Sequence, residues 1–395
     1  MTIKLSSKLA QVKPSPTMAV TALAAELRAQ GRDVIGLGAG EPDFDTPDHI
    51  KAAAIEAINN GETKYTAVDG IVPLKEAVVG KFKADNQLDY QTKQVLVSCG
   101  GKQSFYNLAQ AVIDNGDEVV IPAPYWVSYP DIVLLAGGTP VFVPTTQEQA
   151  FKISAEQLDA AMTSNTRMVV LNSPSNPSGK AYNQQELAAL GEVLKQYPDA
   201  VIATDDMYEH IVWSDDGFSN ILNACPDLAD RTVVMNGVSK AYAMTGWRIG
   251  YAAGPEPVIN AMKKIQSQST SNPTSVSQWA SAAALTGGNE CLAPMLKAFK
   301  ERHDFVVSSL NAMPGVECIA GDGTFYAFPK VQSAIDSTDG VSNDVEFSSW
   351  VLDKAGVAIV PGSAFGTDGH VRLSFATSME NLRQAMQRMG DLLSK

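Results

Sequence analysis

Ser239-Lys240-Ala241-Tyr242-Ala243-Met244-Thr245-Gly246-Trp247-Arg248 follows the apolar run Thr232-Val233-Val234-Met235. Lys240 therefore stands just past a buried strand, with an arginine eight residues on. A desolvated lysine loses its proton and becomes nucleophilic, which makes Lys240 a candidate for a Schiff base. Arg248, permanently charged and able to donate two parallel hydrogen bonds, suits a phosphate. A lysine-bound phosphorylated aldehyde in a protein means pyridoxal 5′-phosphate (PLP). Taken alone, Lys240 reads more simply as a solvated strand-end lysine, and its companions have to decide.

Working outward, one pattern recurs: an apolar strand, a loop rich in Gly, Pro, Ser or Asn, then a helical period. Val95-Leu96-Val97 runs into Ser98-Cys99-Gly100-Gly101-Lys102-Gln103, and Glu118-Val119-Val120-Ile121 into Pro122-Ala123-Pro124-Tyr125-Trp126. Met168-Val169-Val170-Leu171 runs into Asn172-Ser173-Pro174-Ser175-Asn176-Pro177, and Ala200-Val201-Ile202-Ala203 into Thr204-Asp205-Asp206-Met207-Tyr208. Near-continuous apolar strands alternating with helices predict an α/β fold with a parallel sheet covered on both faces. In such sheets ligands sit outside the carboxyl ends of the strands, where the polar residues of these loops fall.

After about residue 300 the pattern changes to helices mixed with strand-like segments, Gly323 to Phe328, Val357 to Val360 and His370 to Ser374, which predicts a smaller α+β domain. At 395 residues two domains are the default, and the first 45, with a helical period from Val20 to Leu27, are expected to pack with the second. A net charge of −13 argues against nucleic acid or an anionic membrane as the main partner. Cys99, Cys225, Cys291 and Cys318 are scattered, without a CxxC pair. The N-terminus lacks a signal-peptide core, and no apolar run approaches the roughly 20 residues that span a bilayer. The expectation is a cytoplasmic globular protein.

A PLP site has definable needs. Its phosphate wants helix N-terminal N–H groups and a cation, which Gly100-Gly101-Lys102 and Arg248 supply. Its ring nitrogen wants a buried carboxylate to keep it protonated; Asp205 is the candidate, although a helix N-cap explains it as well. Asn176 and Tyr208 suit the ring's 3′-oxygen, but an Asx-turn and a core tyrosine are equally available readings. Trp126 offers a plane for the ring, or is a tryptophan buried for packing. An amino-acid substrate brings an α-carboxylate, for which Arg372, alternating with apolar neighbours in its strand, is the candidate. The four histidines show no metal spacing, and no G-x-S-x-G elbow or Walker loop is present.

With these positions in hand, the chain resembles a class I aminotransferase of PLP fold type I, and more closely the prokaryotic aspartate aminotransferase branch called subgroup Iβ. Leu37 to Phe44, Thr63-Lys64-Tyr65, Pro124 to Tyr129, Asn172 to Gly179, Asp205 to Tyr208 and Ser239 to Gly250 match in order and spacing. The resemblance implies a large PLP-binding domain, 46–296, with a mixed, mostly parallel seven-stranded sheet, and a small domain made of 1–45 and 297–395. It implies that Lys240 carries the cofactor and acts as general base, and that Asp205 holds the pyridinium. Asn176 and Tyr208 would contact the 3′-oxygen, and Trp126 would stack on the ring. Gly101, Lys102 and Arg248 would hold the phosphate side, with Tyr65 donated across a homodimer interface. Gly237 stands where many members carry a serine, which leaves one phosphate contact unassigned. Gly40 and Arg372 would bind the α-carboxylate, alongside Trp126 and Asn176.

The implied reaction is ping-pong amino transfer between L-aspartate and 2-oxoglutarate, with small amino-acid and 2-oxo-acid substrates. The side-chain carboxylate falls to Lys102 and to the segment Lys13-Pro14-Ser15-Pro16-Thr17, with Lys13 and Thr17 as contacts. Some relatives with a lysine at the position of Lys13 also accept prephenate and give arogenate, so prephenate stands as a second activity. The alternatives are a C–S β-lyase or decarboxylating enzyme on the same scaffold. A PLP-sensing module of a transcription regulator is disfavoured, because the fold begins almost at residue 1 and the chain is acidic.

Overall fold

A computed structural model of the protein describes residues 3–14 and 16–395. Seven strands form one sheet, in the spatial order Val95–Ser98, Gly250–Ala253, Thr232–Gly237, Val201–Asp205, Thr166–Asn172, Glu118–Ala123 and Thr139–Pro144. Gly250–Ala253 runs antiparallel to both its neighbours and every other pairing is parallel. The mixed, mostly parallel seven-stranded sheet expected from the resemblance is therefore present.

Successive side chains of a strand point to opposite faces, and here both faces are filled. Val120, Val169, Leu171, Ile202 and Val234 join one apolar cluster, while Val119, Ile121, Met168, Val170, Ala203 and Val233 join another. That is why these strands read as unbroken apolar runs. A third cluster is built from Phe299, Val306, Leu310, Phe347, Val351, Val371, Leu373, Phe375, Leu382 and Met386, with Ile35 and Leu37 from near the N-terminus. The strands beside it are short: Tyr326–Ala327, Val360–Pro361 and Val371–Ser374 in one sheet, and Ile35–Gly36 with Val357–Ala358 in another.

One sequence expectation is corrected. The strand-like segment from Gly323 to Phe328 pairs as a strand only at Tyr326–Ala327, because Gly323 and Thr324 turn away to bond Ile211 and Gly179 instead. The strand before Lys240 runs to Gly237, and the lysine sits three residues past its end, in the turns that follow. No helix is long and apolar enough to cross a membrane among the described residues.

The antiparallel strand touches the start of the helix Gly101–Val112. A methyl group at Gly250 would stand 2.4 Å from the Gly101 nitrogen and 2.5 Å from the Gly100 carbonyl carbon. Backbone cannot yield as a side chain does, so Gly250→Ala is expected to lower stability by about 1–3 kcal/mol. A thermal melt of the variant checks this, and an unchanged Tm would show that the two segments separate freely.

Candidate active site

One cavity of about 490 Å³ opens outside the carboxyl ends of the parallel strands. Asn172 and Asp205 are the last residues of their strands and both line it. Gly101, Lys102, Trp126, Ser239 and Lys240 come from the segments just beyond three others. Asn176, Tyr208, Arg248, Gly40, Thr17 and Arg372 complete the wall with residues that the sequence did not single out.

Lys240 is half-buried, and its Nζ donates to the carbonyl oxygen of Gly40. Removal from water lowers its pKa to about 8, with the positive charge of Arg372 as the next cause. A neutral fraction is thus present near pH 7, which an ordinary lysine lacks. In cofactor-free protein the reaction of this amine with a simple aldehyde should rise about tenfold between pH 7 and pH 9 and then level off. A rate still climbing steeply at pH 10 would show an unperturbed lysine.

Asp205 is held from three sides. Its Oδ2 accepts from the Tyr129 hydroxyl at 2.6 Å, its Oδ1 from the Met207 N–H at 3.3 Å, and its carbonyl oxygen from Asn172 Nδ2 at 2.9 Å. Burial raises its pKa above the ordinary carboxylate value, opposed by the Tyr129 bond. Among the described residues no cation forms an ion pair with this carboxylate, the charge of Lys240 acting on it only as the smallest of the causes, and a protonated ring nitrogen would supply one.

Arg372 shows the complementary deficit. It is 2% exposed, and its contacts are neutral oxygens and ring faces. It donates to Asn176 Oδ1 at 2.9 Å and to the Gly38 carbonyl at 2.8 Å, and its guanidinium lies 4.3 Å from the Tyr326 ring centroid and 4.8 Å from that of Phe365. Its Nε has no partner, and no carboxylate pairs with it among the described residues. A buried charge is normally paired, so this geometry leaves room for an anion. Beside it the Tyr208 and Tyr326 hydroxyls meet at 2.9 Å, and burial raises both phenols above their ordinary values, keeping them protonated donors.

The other end of the cavity is built for an anion. Gly100 precedes the helix at φ +85°, where a side chain would be strained and would strike Arg248, 2.6 Å from the added carbon. Gly101 and Lys102, the first residues of the helix, line the cavity together with Arg248, and the first N–H groups of a helix lack partners within it. Arg248 itself adopts φ 58°, a left-handed conformation costing about 1–2 kcal/mol. Its bonds to the carbonyls of Thr245 (2.9 Å) and Cys99 (3.3 Å) hold it there. At Gly237 an added carbon would stand 3.0 Å from the Ile249 oxygen, so a larger residue there must push the backbone aside. Ser239, two residues on, lines the cavity.

Trp126 lines the cavity edge-on to Tyr129, with ring centroids 5.2 Å apart, and Lys102 Nζ lies 5.4 Å from its centroid. Burial, then the charge of Arg248, lowers the pKa of Lys102. Thr17 comes from the helix Pro16–Ala29, together with Met18 and Thr21. Two expected residues stand apart from this chain's cavity. Tyr65 is 93% exposed, and Lys13 is exposed with its backbone nitrogen 3.5 Å from Asp131 Oδ1. Ser15, in the Lys13–Thr17 segment, lies outside the described residues.

Tyr129, Asn172, Ser239 and Tyr326 escaped the sequence reading as candidate site residues. Ser239 and Asn172 were within reach, since each adjoins a loop already under suspicion. Tyr326 and Tyr129 act through partners 118 and 76 residues away, and nothing local marks them.

A carboxylate without an ion pair and a guanidinium without an anion among the described residues, a lysine of lowered pKa and a helix start with an arginine fit the ring nitrogen, substrate, aldehyde and phosphate ends of PLP. Comparison with known proteins agrees. The family profile of class I and II aminotransferases matches residues 32–389. The chain is 61% identical, over 99% of its length and 100% of the relative's, to the aspartate/prephenate aminotransferase of Nitrosomonas europaea. It is 56% identical to that of Cereibacter sphaeroides, over 98% of this chain and 97% of the relative. The crystal structure of aspartate aminotransferase from Rhizobium meliloti matches with a TM-score of 0.96 at 45% identity, covering 100% of this chain and 99% of that one. That of Thermus thermophilus with maleate matches with a TM-score of 0.93 at 42% identity, covering 99% and 100%. The chain belongs to the class I and II aminotransferases and is a pyridoxal-phosphate-dependent enzyme.

Proposed function

We propose that the protein transfers the amino group between L-aspartate and 2-oxoglutarate, giving oxaloacetate and L-glutamate, and that it also takes prephenate as an amino acceptor. The observation that carries this reading is Arg372, buried without an anionic partner in the cavity that holds Lys240. The guanidinium binds the α-carboxylate, with its unpartnered Nε as a ready donor and the Gly40 backbone beside it. Lys240 Nζ takes the α-proton as general base, for which a pKa of about 8 is suited near neutral pH. Asp205 would keep a proton on the ring nitrogen, and Tyr208 and Asn176 would serve the 3′-oxygen. Gly101, Lys102 and Arg248 would hold the phosphate, and Trp126 would cover the ring. The bound cofactor supplies an electron sink for the charge left on the α-carbon.

Lys102 and Thr17, both on the cavity wall, and Lys13 receive the substrate's second carboxylate. A dicarboxylate reading is supported by the maleate in the Thermus thermophilus relative, and the prephenate reading by the names of the Nitrosomonas europaea and Cereibacter sphaeroides relatives. The exposure of Tyr65 suits a residue that reaches the phosphate of a neighbouring subunit in a homodimer. The two-domain division at 46–296 against 1–45 and 297–395 is supported by the separate apolar clusters, and a cytoplasmic location by the scattered free cysteines.

A panel of amino donors, run with 2-oxoglutarate and with prephenate as acceptors, tests the reading. Oxaloacetate from aspartate with 2-oxoglutarate, and arogenate with prephenate, are the expected products. Pyruvate with sulfide, or CO2, in place of oxaloacetate would sink amino transfer in favour of a lyase or decarboxylase.

A further inference from the structure

Behind Asp205 and Tyr208, away from the cavity, lies a buried ionic network that the reaction above does not use. Asp205 and Asp206 are consecutive, and alternation sends their side chains to opposite sides. Asp205 lines the cavity, whereas Asp206, 1% exposed, accepts from Thr204 Oγ1 at 2.7 Å and from Asn220 Nδ2. Residues 206–211 then turn tightly, the Glu209 N–H donating to the Asp206 oxygen at 3.0 Å and the Ile211 N–H to the Tyr208 oxygen at 2.8 Å. Met207 and Tyr208 face the cavity from this turn, and Glu209 faces back with Asp206.

Glu209 is met there by the helix Val72–Asn86. Lys81 and Glu209 form an ion pair in which both side chains are nearly inaccessible, at 2% and 3%. Asn86 closes the triangle, accepting from Lys81 Nζ at 2.6 Å and donating to Glu209 Oε2 at 2.7 Å. His210 Nε2 and Asp85 Oδ2, 3.0 Å apart, extend it toward the surface. Asp85, Glu209 and His210 resemble a metal-ligand cluster, but the Lys81 ammonium already occupies the place of a cation against the central carboxylate. A buried ion pair contributes little net stability against an apolar replacement, and specifying one geometry is its better attested use.

We propose that Lys81, Asn86 and Glu209 are positioning residues of the reaction: by anchoring the rear of the 206–211 turn, they set where the Tyr208 hydroxyl stands against the cofactor. The proposal rests on the reading of Tyr208 as a cofactor contact. On its rear side the turn is held by this triangle, by the Asp206 side-chain bonds, by the Asp206 N–H donating to the Met235 oxygen at 2.9 Å, and by the contact of His210 with Asp85. A displacement of about 1 Å at a reacting group is enough to cost on the order of 10²-fold in rate.

The test uses the PLP-loaded enzyme and four variants: Glu209→Gln, the charge-free pair Lys81→Met with Glu209→Met, Tyr208→Phe, and Tyr208→Phe combined with the charge-free pair. The charge-free pair guards against misfolding, since removing both charges leaves neither stranded. It is expected to lower kcat about 10–100-fold with KM for aspartate moving less than threefold. It should also shift the visible absorbance of the bound cofactor in the same direction as Tyr208→Phe. Adding Tyr208→Phe to it should cost little more, because both act on one contact. In cofactor-free protein, the Glu209 and Ile211 amides should exchange hydrogen at least tenfold faster in the pair than in the parent. An unchanged kcat and spectrum in the charge-free pair, or fully additive losses, overturns the positioning role while Tyr208→Phe still shows its own effect. A Tyr208→Phe enzyme indistinguishable from the parent sinks the reading of Tyr208 and the proposal together.

Discussion

Lys240→Ala is expected to abolish turnover, lowering kcat by about 10⁴-fold or more. In the proposed reaction the amine has two duties, to hold the aldehyde and to carry the α-proton, and a positioned general base alone contributes about 10²–10⁴-fold. Alanine offers neither: among the described residues the Lys240 amine bonds to Gly40 O, and Asp205 is held by Tyr129 and Met207. The phosphate cradle and Arg372 are untouched, so the variant should still take up PLP and bind aspartate. Its cofactor should be released by acid without borohydride trapping, whereas the parent's should be trapped covalently. Retained transaminase activity in single-turnover mixing would overturn the assignment of Lys240.

Arg372→Lys should be the most damaging conservative change at the substrate end. The guanidinium now makes two hydrogen bonds, to Asn176 Oδ1 and the Gly38 oxygen, and lies over two aromatic rings. Lysine is a point donor on a flexible stem and reproduces neither the fork nor the stacking. The charge stays but one charge-assisted hydrogen bond of the fork is lost, at about 1.5–3 kcal/mol, so kcat/KM for aspartate should fall by about 10–100-fold. The loss should extend to every amino donor, because all share the α-carboxylate. Stability should change far less than activity, since a buried guanidinium without an anion is a liability in the free enzyme. A fall confined to dicarboxylic donors would place Arg372 at the side-chain carboxylate instead.

Glu209→Gln, Gly250→Ala and the aldehyde reactivity of Lys240 probe the frame around these two residues. They separate parts of the molecule that differ in how far sequence alone reveals them. The alternating burial of Val119, Val120 and Ile121, or of Val169, Val170 and Leu171, follows from strand geometry and needs only the local run to be recognised. The positions of Asn172 and Asp205 at strand ends follow from the same runs. Short strands such as Tyr326–Ala327 are another matter, because two residues carry no period to detect.

Sequence by itself determined the α/β sheet, the family, and which chemical groups crowd the strand ends: a lysine, a carboxylate, an arginine and a glycine-rich helix start. Those signals are local, set by periodicity and by the special backbone needs of turns. Only the tertiary structure decided which groups meet. It joined Arg372 to Asn176 across 196 residues and to Gly38 across 334, gave Asp205 its Tyr129 partner, and set Ser239 on the cavity wall. It also set Lys81 and Glu209 together behind the cavity. Burial and distance make a lysine of pKa about 8 or an arginine without an anion, and both are properties of the packed chain, invisible in the identity of the residue.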